Sequence, residues 1–430
     1  MPSTRRHLIV GAGLAGARTA EALRTAGSTE RIVMVGEEVP APYLRPPLSK
    51  DFLAGRTGRD DIDVLPEAWY RDNDVELVTG VRALDIDVVA RTVALEDGRE
   101  IAYDGLVVAT GSSPRRLDVP GVDSDGVMML RRDTDSEQLR AALATATSLV
   151  ILGGGWIGLE VAALARSRGL PVTIVERSSL PLGRVLGPEM AEVLLGMHRD
   201  HGVRFCLDST VAEVVTEGGR AAGVRLTDGE LLGADLVLVA VGATPNVAVA
   251  ERALDIDDGI LVDHHLRASA PDVYAAGDIA SAWNPFLGKR IRVEHWANAE
   301  HQPKVVAFNI LGGNMRYDRL PYFYTDQYDM SMELTGLVEP GGYDSVVVRG
   351  DLDSLRFVAF WMRRGRIRAA MSSNVDDVIP AATLLIRTLA PVSGEELADP
   401  SVNLEDLVSR AVKPTPDLDL TSGFEQLPAG

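Results

Sequence analysis

Glycines recur at Gly11, Gly13 and Gly16 and again at Gly153, Gly155 and Gly158, each time after a short apolar run and before a stretch with helical periodicity. At this spacing the first glycine allows a tight turn, the second lets backbone approach a pyrophosphate, and the third lets helix pack on strand. A phosphate held there lies at the positive end of a helix, against amide groups that have no partner within the helix. A carboxylate ends the next apolar strand about 20 residues further on in both places, Glu37 and Glu176, where it can accept both hydroxyls of a ribose. Glycine turns also occur without ligands. The strand before, the helix after and the acid beyond are what make these two turns candidate dinucleotide sites.

Glu176 would repel a 2′-phosphate and bind a free 2′-hydroxyl, which favours NAD over NADP. Arg177 beside it is the residue type that accommodates the extra phosphate, so the preference stays open at this point. Two dinucleotide sites in one chain bring a hydride donor and a hydride acceptor face to face. FAD is expected in one site and NADH in the other.

The elements that must position these residues form a repeated pattern. A strand at 7–10, the glycine turn, a helix at 17–25 and a strand at 31–35 are answered by a strand at 148–152, a second turn, a helix at 159–168 and a strand at 171–175. Each unit continues into a strand pair rich in β-branched residues and then an apolar strand ending in glycine, at 105–111 and 234–242. From Tyr322 onward the texture changes to alternating strands at 345–349 and 356–362, a hairpin signal at 363–366 and a helix at 377–387, an α+β pattern. The proline-containing stretch after Lys413 reads as a frayed tail.

Composition narrows the function classes. With 430 residues, two or three domains are expected, and 46% apolar with 24% charged residues is ordinary for a globular protein. Acidic residues outnumber basic ones 62 to 43, a net charge of -19, which argues against nucleic acid or anionic lipid as partner. No apolar run approaches the about 18 residues that cross a bilayer, and the apolar start is broken by glycines, so a buried first strand is favoured over a signal peptide. The single cysteine, Cys206, excludes an intramolecular disulfide and a four-cysteine cluster from this chain, and fits a cytoplasmic location.

The runs Arg45-Pro-Pro-Leu-Ser-Lys50, Leu106-Val-Val-Ala-Thr-Gly111, Val273-Tyr-Ala-Ala-Gly-Asp278, Val293-Glu-His-Trp-Ala-Asn298 and Tyr322-Phe-Tyr-Thr-Asp-Gln-Tyr328 together resemble the ferredoxin reductases of multicomponent oxygenase systems, over nearly the whole chain. The resemblance implies an α/β, glutathione-reductase-like fold. Two Rossmann-type domains are expected, the NAD-binding domain (117–242) inserted in the FAD-binding domain (1–116 and 243–321), followed by a C-terminal α+β domain (322–413) and a tail (414–430). It further implies that Gly11, Gly13, Ala15 and Gly16 hold the FAD pyrophosphate, Glu37 its ribose and Ala83 its adenine, with Arg45, Lys50, Thr110, Gly111, Arg131, Asp278 and Trp296 completing that site. On the NAD side it points to Gly153, Gly155, Ile157, Gly158, Glu160, Glu176, Arg184 and Gly242.

Several of these residues also have plainer readings. Asp278 accepts a ribityl hydroxyl or caps a helix starting at Ile279. Lys50 and Glu160 are costly to bury singly and tolerable as a pair, which either shapes a nicotinamide pocket at the flavin or is purely structural. Trp156 covers the flavin until nicotinamide enters, or simply packs. Disulfide reductases and related oxidases carry reactive cysteines in the region corresponding to 45–50, where this chain has none, and Cys206 reads as a core residue. Electrons are therefore expected to leave the flavin directly, one at a time, for a 2Fe–2S ferredoxin serving an oxygenase.

The acidic net charge then requires a local basic patch for an acidic partner, with Lys289, Arg290, Arg292 and above all Lys304 as candidates. Rubredoxin or monodehydroascorbate reduction is the neighbouring enzymatic alternative. A signalling protein resembling apoptosis-inducing factor is the alternative from another class.

Overall fold

In a computed structural model, residues 5–412 are described; the expected tail at 414–430 lies outside them. The chain divides into two compact units, Met1–Ser331 and Met332–Gly430. The first contains two five-stranded parallel sheets. One runs in the order Val273–Ala275, Gly105–Val108, Arg6–Val10, Arg31–Val35, Val75–Val78, with Leu8 in register with both Val33 and Leu106. The other runs Arg204–Cys206, Val172–Val175, Leu149–Leu152, Leu236–Val239, Val127–Met128, with Ile151 opposite Ile174 and Leu238. Strands covered on both faces have to be apolar throughout. Leu8, Ile9, Leu106, Val107 and Ile151 are accordingly fully buried.

All strands of the second sheet fall in sequence between the fourth and fifth strands of the first, so one nucleotide module is inserted in the other. The chain crosses between them twice. Its two crossings, Ser112–Pro114 and Ala243–Pro245, pair antiparallel with one another, which ties exit to entry. Each module carries an antiparallel appendage of three strands rather than the expected pair: Ala83–Asp87, Thr92–Leu95 and Glu100–Ala102 in one, Val211–Glu217, Arg220–Leu226 and Leu231–Gly233 in the other.

The two helices after the glycine turns start earlier than apolar periodicity suggests, at Leu14 (Leu14–Thr25) and Trp156 (Trp156–Ser167). The reason is that the last glycine of each turn is already helical. Its missing side chain is what allows the first helical turn to lie on the preceding loop.

The second unit is α+β, as expected. Its antiparallel strands run in the order Met330–Gly336, Arg366–Ser373, Arg356–Arg363, Ser345–Asp351, with Arg363 and Arg366 closing a tight hairpin. Phe357, Phe360 and Trp361 are fully buried there, and the helices Val378–Thr388, Gly394–Ala398 and Leu404–Ala411 follow the strands.

A Cβ on Gly16 would lie 2.0 Å from the Gly11 carbonyl oxygen, and one on Gly158 would lie 2.3 Å from that of Gly153. Neither backbone can retreat from its sheet. Gly16→Ala and Gly158→Ala should each destabilise the protein by about 1–3 kcal/mol or more, read as a lowered melting midpoint. Wild-type midpoints for both would contradict this packing.

Candidate functional site

The two glycine turns are built alike. Gly11 (φ +118°) and Gly153 (φ +106°) have left-handed backbone, and a Cβ on them would strike the carbonyl oxygens of Ala109 at 2.1 Å and Ala240 at 2.4 Å, each the residue just past the neighbouring strand of its sheet. Gly13 and Gly155 are the N-caps of the two helices and supply no side-chain cap bond. A Cβ on Gly13 would meet nothing within 4 Å, and on Gly155 only the Ala240 oxygen at 4.0 Å. Two uncapped helix N-termini therefore open onto space that a side chain would fill. This is the geometry in which a pyrophosphate satisfies the first amide groups. Ala15 is buried in the first helical turn, and Ile157 at the corresponding place in the second is 40% exposed despite its apolar side chain.

Glu37 follows its strand as expected. Its Oε1 accepts from Arg82 at 2.7 Å and Arg132 at 2.8 Å. Arg82, then Arg132, hold its carboxyl below the usual range. Glu176 accepts from the Gly154 amide at 2.7 Å and the Ser178 amide at 2.8 Å, which fixes the carboxylate beside the second turn. Arg177 and Arg184 are exposed nearby in sequence, Arg184 in the first turn of the helix Gly183–Asp200. Gly242 (φ +101°) lies just beyond the strand Leu236–Val239, which neighbours the central strand Leu149–Leu152. Ala83 opens the first appendage, and Thr110 and Gly111 follow the strand Gly105–Val108, where the Thr110 hydroxyl donates to the Asn246 carbonyl at 3.0 Å.

Arg45, Arg131 and Asp278 come together. Arg45 pairs with Glu38 at 2.5 Å and donates to the Arg131 carbonyl at 2.6 Å, while Arg131 Nη2 donates to Asp278 Oδ2 at 3.0 Å. Ser112 donates to the same Asp278 oxygen at 2.8 Å. The Nε of Arg131 is buried with no hydrogen-bond partner among the described residues. Burial, and then the charge of Arg45, push the Arg131 pKa down. An orphaned guanidinium donor beside a second arginine is a site that an anionic or carbonyl-bearing ligand relieves. The helix-cap reading of Asp278 does not hold: the residues after it make a turn and enter the strand Ala280–Asn284.

Lys50 and Glu160 form the expected pair. Lys50 Nζ lies 2.7 Å from Glu160 Oε1, with side chains 16% and 6% exposed. Glu160 is four residues beyond Trp156, hence on the same helix face. It also accepts from Thr325 Oγ1 at 2.6 Å and from Ser49 Oγ. Three donors on one carboxylate make its burial tolerable.

Aromatic rings surround this pair. Trp156 stacks on Phe323, with centroids 6.2 Å apart and planes at 24°. Lys50 Nζ lies 5.6 Å from the centre of the Tyr324 ring, and Trp296 meets that ring edge-on at 6.3 Å. His295 caps the helix Trp296–Ile310 and packs against Phe323. Burial, aided by Lys50 and opposed by Asp278, lowers its pKa to about 4. Ser49, His295, Phe323, Tyr324 and Thr325 were not singled out from sequence as site residues. Their only signal was that they lie in the motifs 45–50, 293–298 and 322–328.

The expected basic residues differ in what they offer a partner. Arg290 donates to the Val262 and Ser281 carbonyls, and Arg292, 10% exposed, pairs with Asp258 and Glu294. Lys304 is exposed on the helix Trp296–Ile310. Cys206 is buried in the apolar cluster of the second module, and burial pushes its thiol pKa up, the opposite of an activated nucleophile. No group of metal-ligating side chains occurs among the described residues. No helix among them is long and apolar enough to cross a membrane.

Burial lowers the pKa values of His198, His295 and His301 from 6.5 to about 4. The unfolded chain therefore takes up these protons first, so their contribution to stability is full above about 6.5 and is lost as the pH falls towards 4. The melting midpoint should decline through that window, and His198→Asn should flatten part of the decline. Equal slopes in the two proteins would contradict a buried neutral His198.

Residues 5–302 match the pyridine nucleotide-disulphide oxidoreductase family and residues 322–408 the reductase C-terminal family. The chain is 39% identical to the ferredoxin–NAD(+) reductase component of the anthranilate 1,2-dioxygenase system of Burkholderia cepacia, covering 93% of this chain and 98% of that one. It is 36% identical to rhodocoxin reductase of Rhodococcus erythropolis, covering 94% of both. The covalent putidaredoxin reductase–putidaredoxin complex superposes with a TM-score of 0.91 at 32% identity, over 95% of this chain and 99% of that one. The chain thus belongs to the pyridine nucleotide-disulphide oxidoreductases and, among them, to the ferredoxin reductases of the putidaredoxin and rhodocoxin reductase type.

Proposed function

We propose that this protein is an NADH-dependent ferredoxin reductase that passes electrons through FAD to a 2Fe–2S ferredoxin serving an oxygenase. The observation that carries the reading is the Lys50–Glu160 pair together with two open glycine turns, in a chain whose only cysteine is buried and unactivated. FAD, when bound, supplies the step that no side chain here can: it takes two electrons together and releases them singly.

The chain's own residues bind and orient. On this reading Gly11, Gly13, Ala15 and Gly16 hold the FAD pyrophosphate. Glu37 and Ala83 take the adenosine end, while Arg45, Thr110, Gly111, Arg131, Asp278 and Trp296 hold the rest. Gly153, Gly155, Ile157, Gly158, Glu176, Arg184 and Gly242 receive NADH, with the fixed Glu176 carboxylate accepting the ribose hydroxyls.

The paired Lys50 and Glu160 present a charged but internally neutral wall to the nicotinamide, and Trp156 with Phe323 makes an apolar one. The domain division follows: 1–116 with 243–321 for FAD, 117–242 for NADH, 322–413 as the C-terminal domain. The missing reactive cysteines favour a one-electron carrier over a disulfide as acceptor. Lys304 is the basic side chain assigned to the partner face, and a cytoplasmic location agrees with the lone reduced thiol.

NADH-driven cytochrome c reduction by the purified protein should be strongly stimulated by a 2Fe–2S ferredoxin. If NADH reduces the bound flavin but no such ferredoxin stimulates, the rubredoxin and ascorbate-radical alternatives take over. Cys206→Ser should leave turnover at the wild-type value, since no thiol lies on the path. A loss of turnover would revive a thiol relay. Glu176→Ala should cut the preference for NADH over NADPH by about tenfold, the size of one or two lost hydroxyl contacts. Unchanged discrimination would remove Glu176 from the ribose.

A further inference from the structure

The Lys50–Glu160 pair is not the end of its hydrogen-bonded chain. On the strand Tyr322–Gln327, alternate residues share a face, and Phe323, Thr325 and Gln327 make three successive contacts from that face. Phe323 stacks on Trp156, Thr325 Oγ1 lies 2.6 Å from Glu160 Oε1, and Gln327 Oε1 lies 2.7 Å from His198 Nε2, on the helix Gly183–Asp200. Gln327 Nε2 donates to Thr325 Oγ1 at 3.0 Å, which joins the last two contacts. Beyond His198, the Tyr328 hydroxyl lies 3.3 Å from His198 Nδ1, and the Tyr328 ring stacks on His201 at 3.6 Å. Thr325 and His198 are fully buried and Gln327 is 1% exposed.

Only one assignment of protons satisfies this chain. Glu160 already receives Lys50 and Ser49, and a carboxylate oxygen repels a lone pair, so the Thr325 hydroxyl must point its proton at Glu160. Thr325 oxygen must then accept from the amide nitrogen of Gln327, which fixes the orientation of that amide. The Gln327 oxygen consequently faces His198, whose Nε2 must carry the proton, leaving Nδ1 to accept from Tyr328. Reversing Gln327 would turn the Thr325 lone pairs on the carboxylate. Burial keeps the imidazole neutral, with a pKa of about 4, so a single tautomer persists at neutral pH.

We propose that Gln327 and His198 are positioning residues: through Thr325 they lock the Glu160 carboxylate, and with it Lys50, in the orientation used when NADH reduces the flavin. This rests on the reading of Lys50 and Glu160 as the nicotinamide pocket. The chain ties the pocket to the helical segment that follows the kink at Gly187, in the second nucleotide module. Its amide link rules out simple proton hopping, so its role is to hold geometry.

The test uses the oxidised holoenzyme and two readouts. Nitrogen-15 NMR of the histidine rings should find His198 with Nε2 protonated and Nδ1 bare, and Gln327→Met should disturb that signal. Rapid-mixing measurement of flavin reduction at saturating NADH should be about tenfold slower in Thr325→Val, as expected for one charge-assisted bond, with NADH affinity changed less than about twofold. Thr325→Ser, which keeps the hydroxyl, should restore the rate, and this pair covers the case in which Gln327→Met does not fold. An Nδ1-protonated His198 overturns the inference, as does a wild-type rate in Thr325→Val when Glu160→Gln is slow. A wild-type rate in Glu160→Gln overturns the pocket reading itself.

Discussion

An ammonium and a carboxylate, both largely withdrawn from water, stand 2.7 Å apart where the two nucleotide modules meet the strand Tyr322–Gln327. Burying such a pair costs several kcal/mol per ion before any attraction is counted. That cost constrains the surroundings. Glu160 has to be met by every donor within reach, so Ser49, Lys50 and Thr325 converge on it from two distant stretches of chain. Glu160 in turn can stand there only because Gly158 lets its helix rest on the Gly153 loop.

The same economy explains the duplicated architecture. One turn geometry, with a glycine at each point where a Cβ would strike backbone or occupy ligand space, is used twice in one unit. The inserted module leaves and returns through two strands paired with one another, so its entry and exit move together. The two copies differ at the residue after the N-cap glycine: Leu14 is buried, whereas Trp156 stacks on Phe323.

The legible parts of the sequence were those whose physics is local. The glycine spacing, the apolar strands and the acids at 37 and 176 each lie within one short unit, so periodicity and spacing sufficed to place them. Apolar periodicity places both helix starts too late, because a helical glycine looks like a loop residue. Ser49 and Thr325 reach Glu160 across 111 and 165 residues of chain, and nothing in a serine or threonine codon announces such a partner. Arg290 and Arg292 looked like surface charge by residue type, yet one is bonded to backbone carbonyls and the other to two carboxylates. Asp278 before an apolar stretch carried a capping signal, but sheet pairing of Ala280–Asn284 prevailed over helix propensity.

The most direct measurement is a crystal structure of the protein with FAD and NAD+ bound. One pyrophosphate should lie against the helix behind Gly13 and the other against the helix behind Gly155. A flavin-cofactor atom should meet the orphaned Arg131 Nε, and the nicotinamide should lie beside an intact Lys50–Glu160 pair. Cofactors seated in the two turns but with the nicotinamide remote from that pair would contradict this placement.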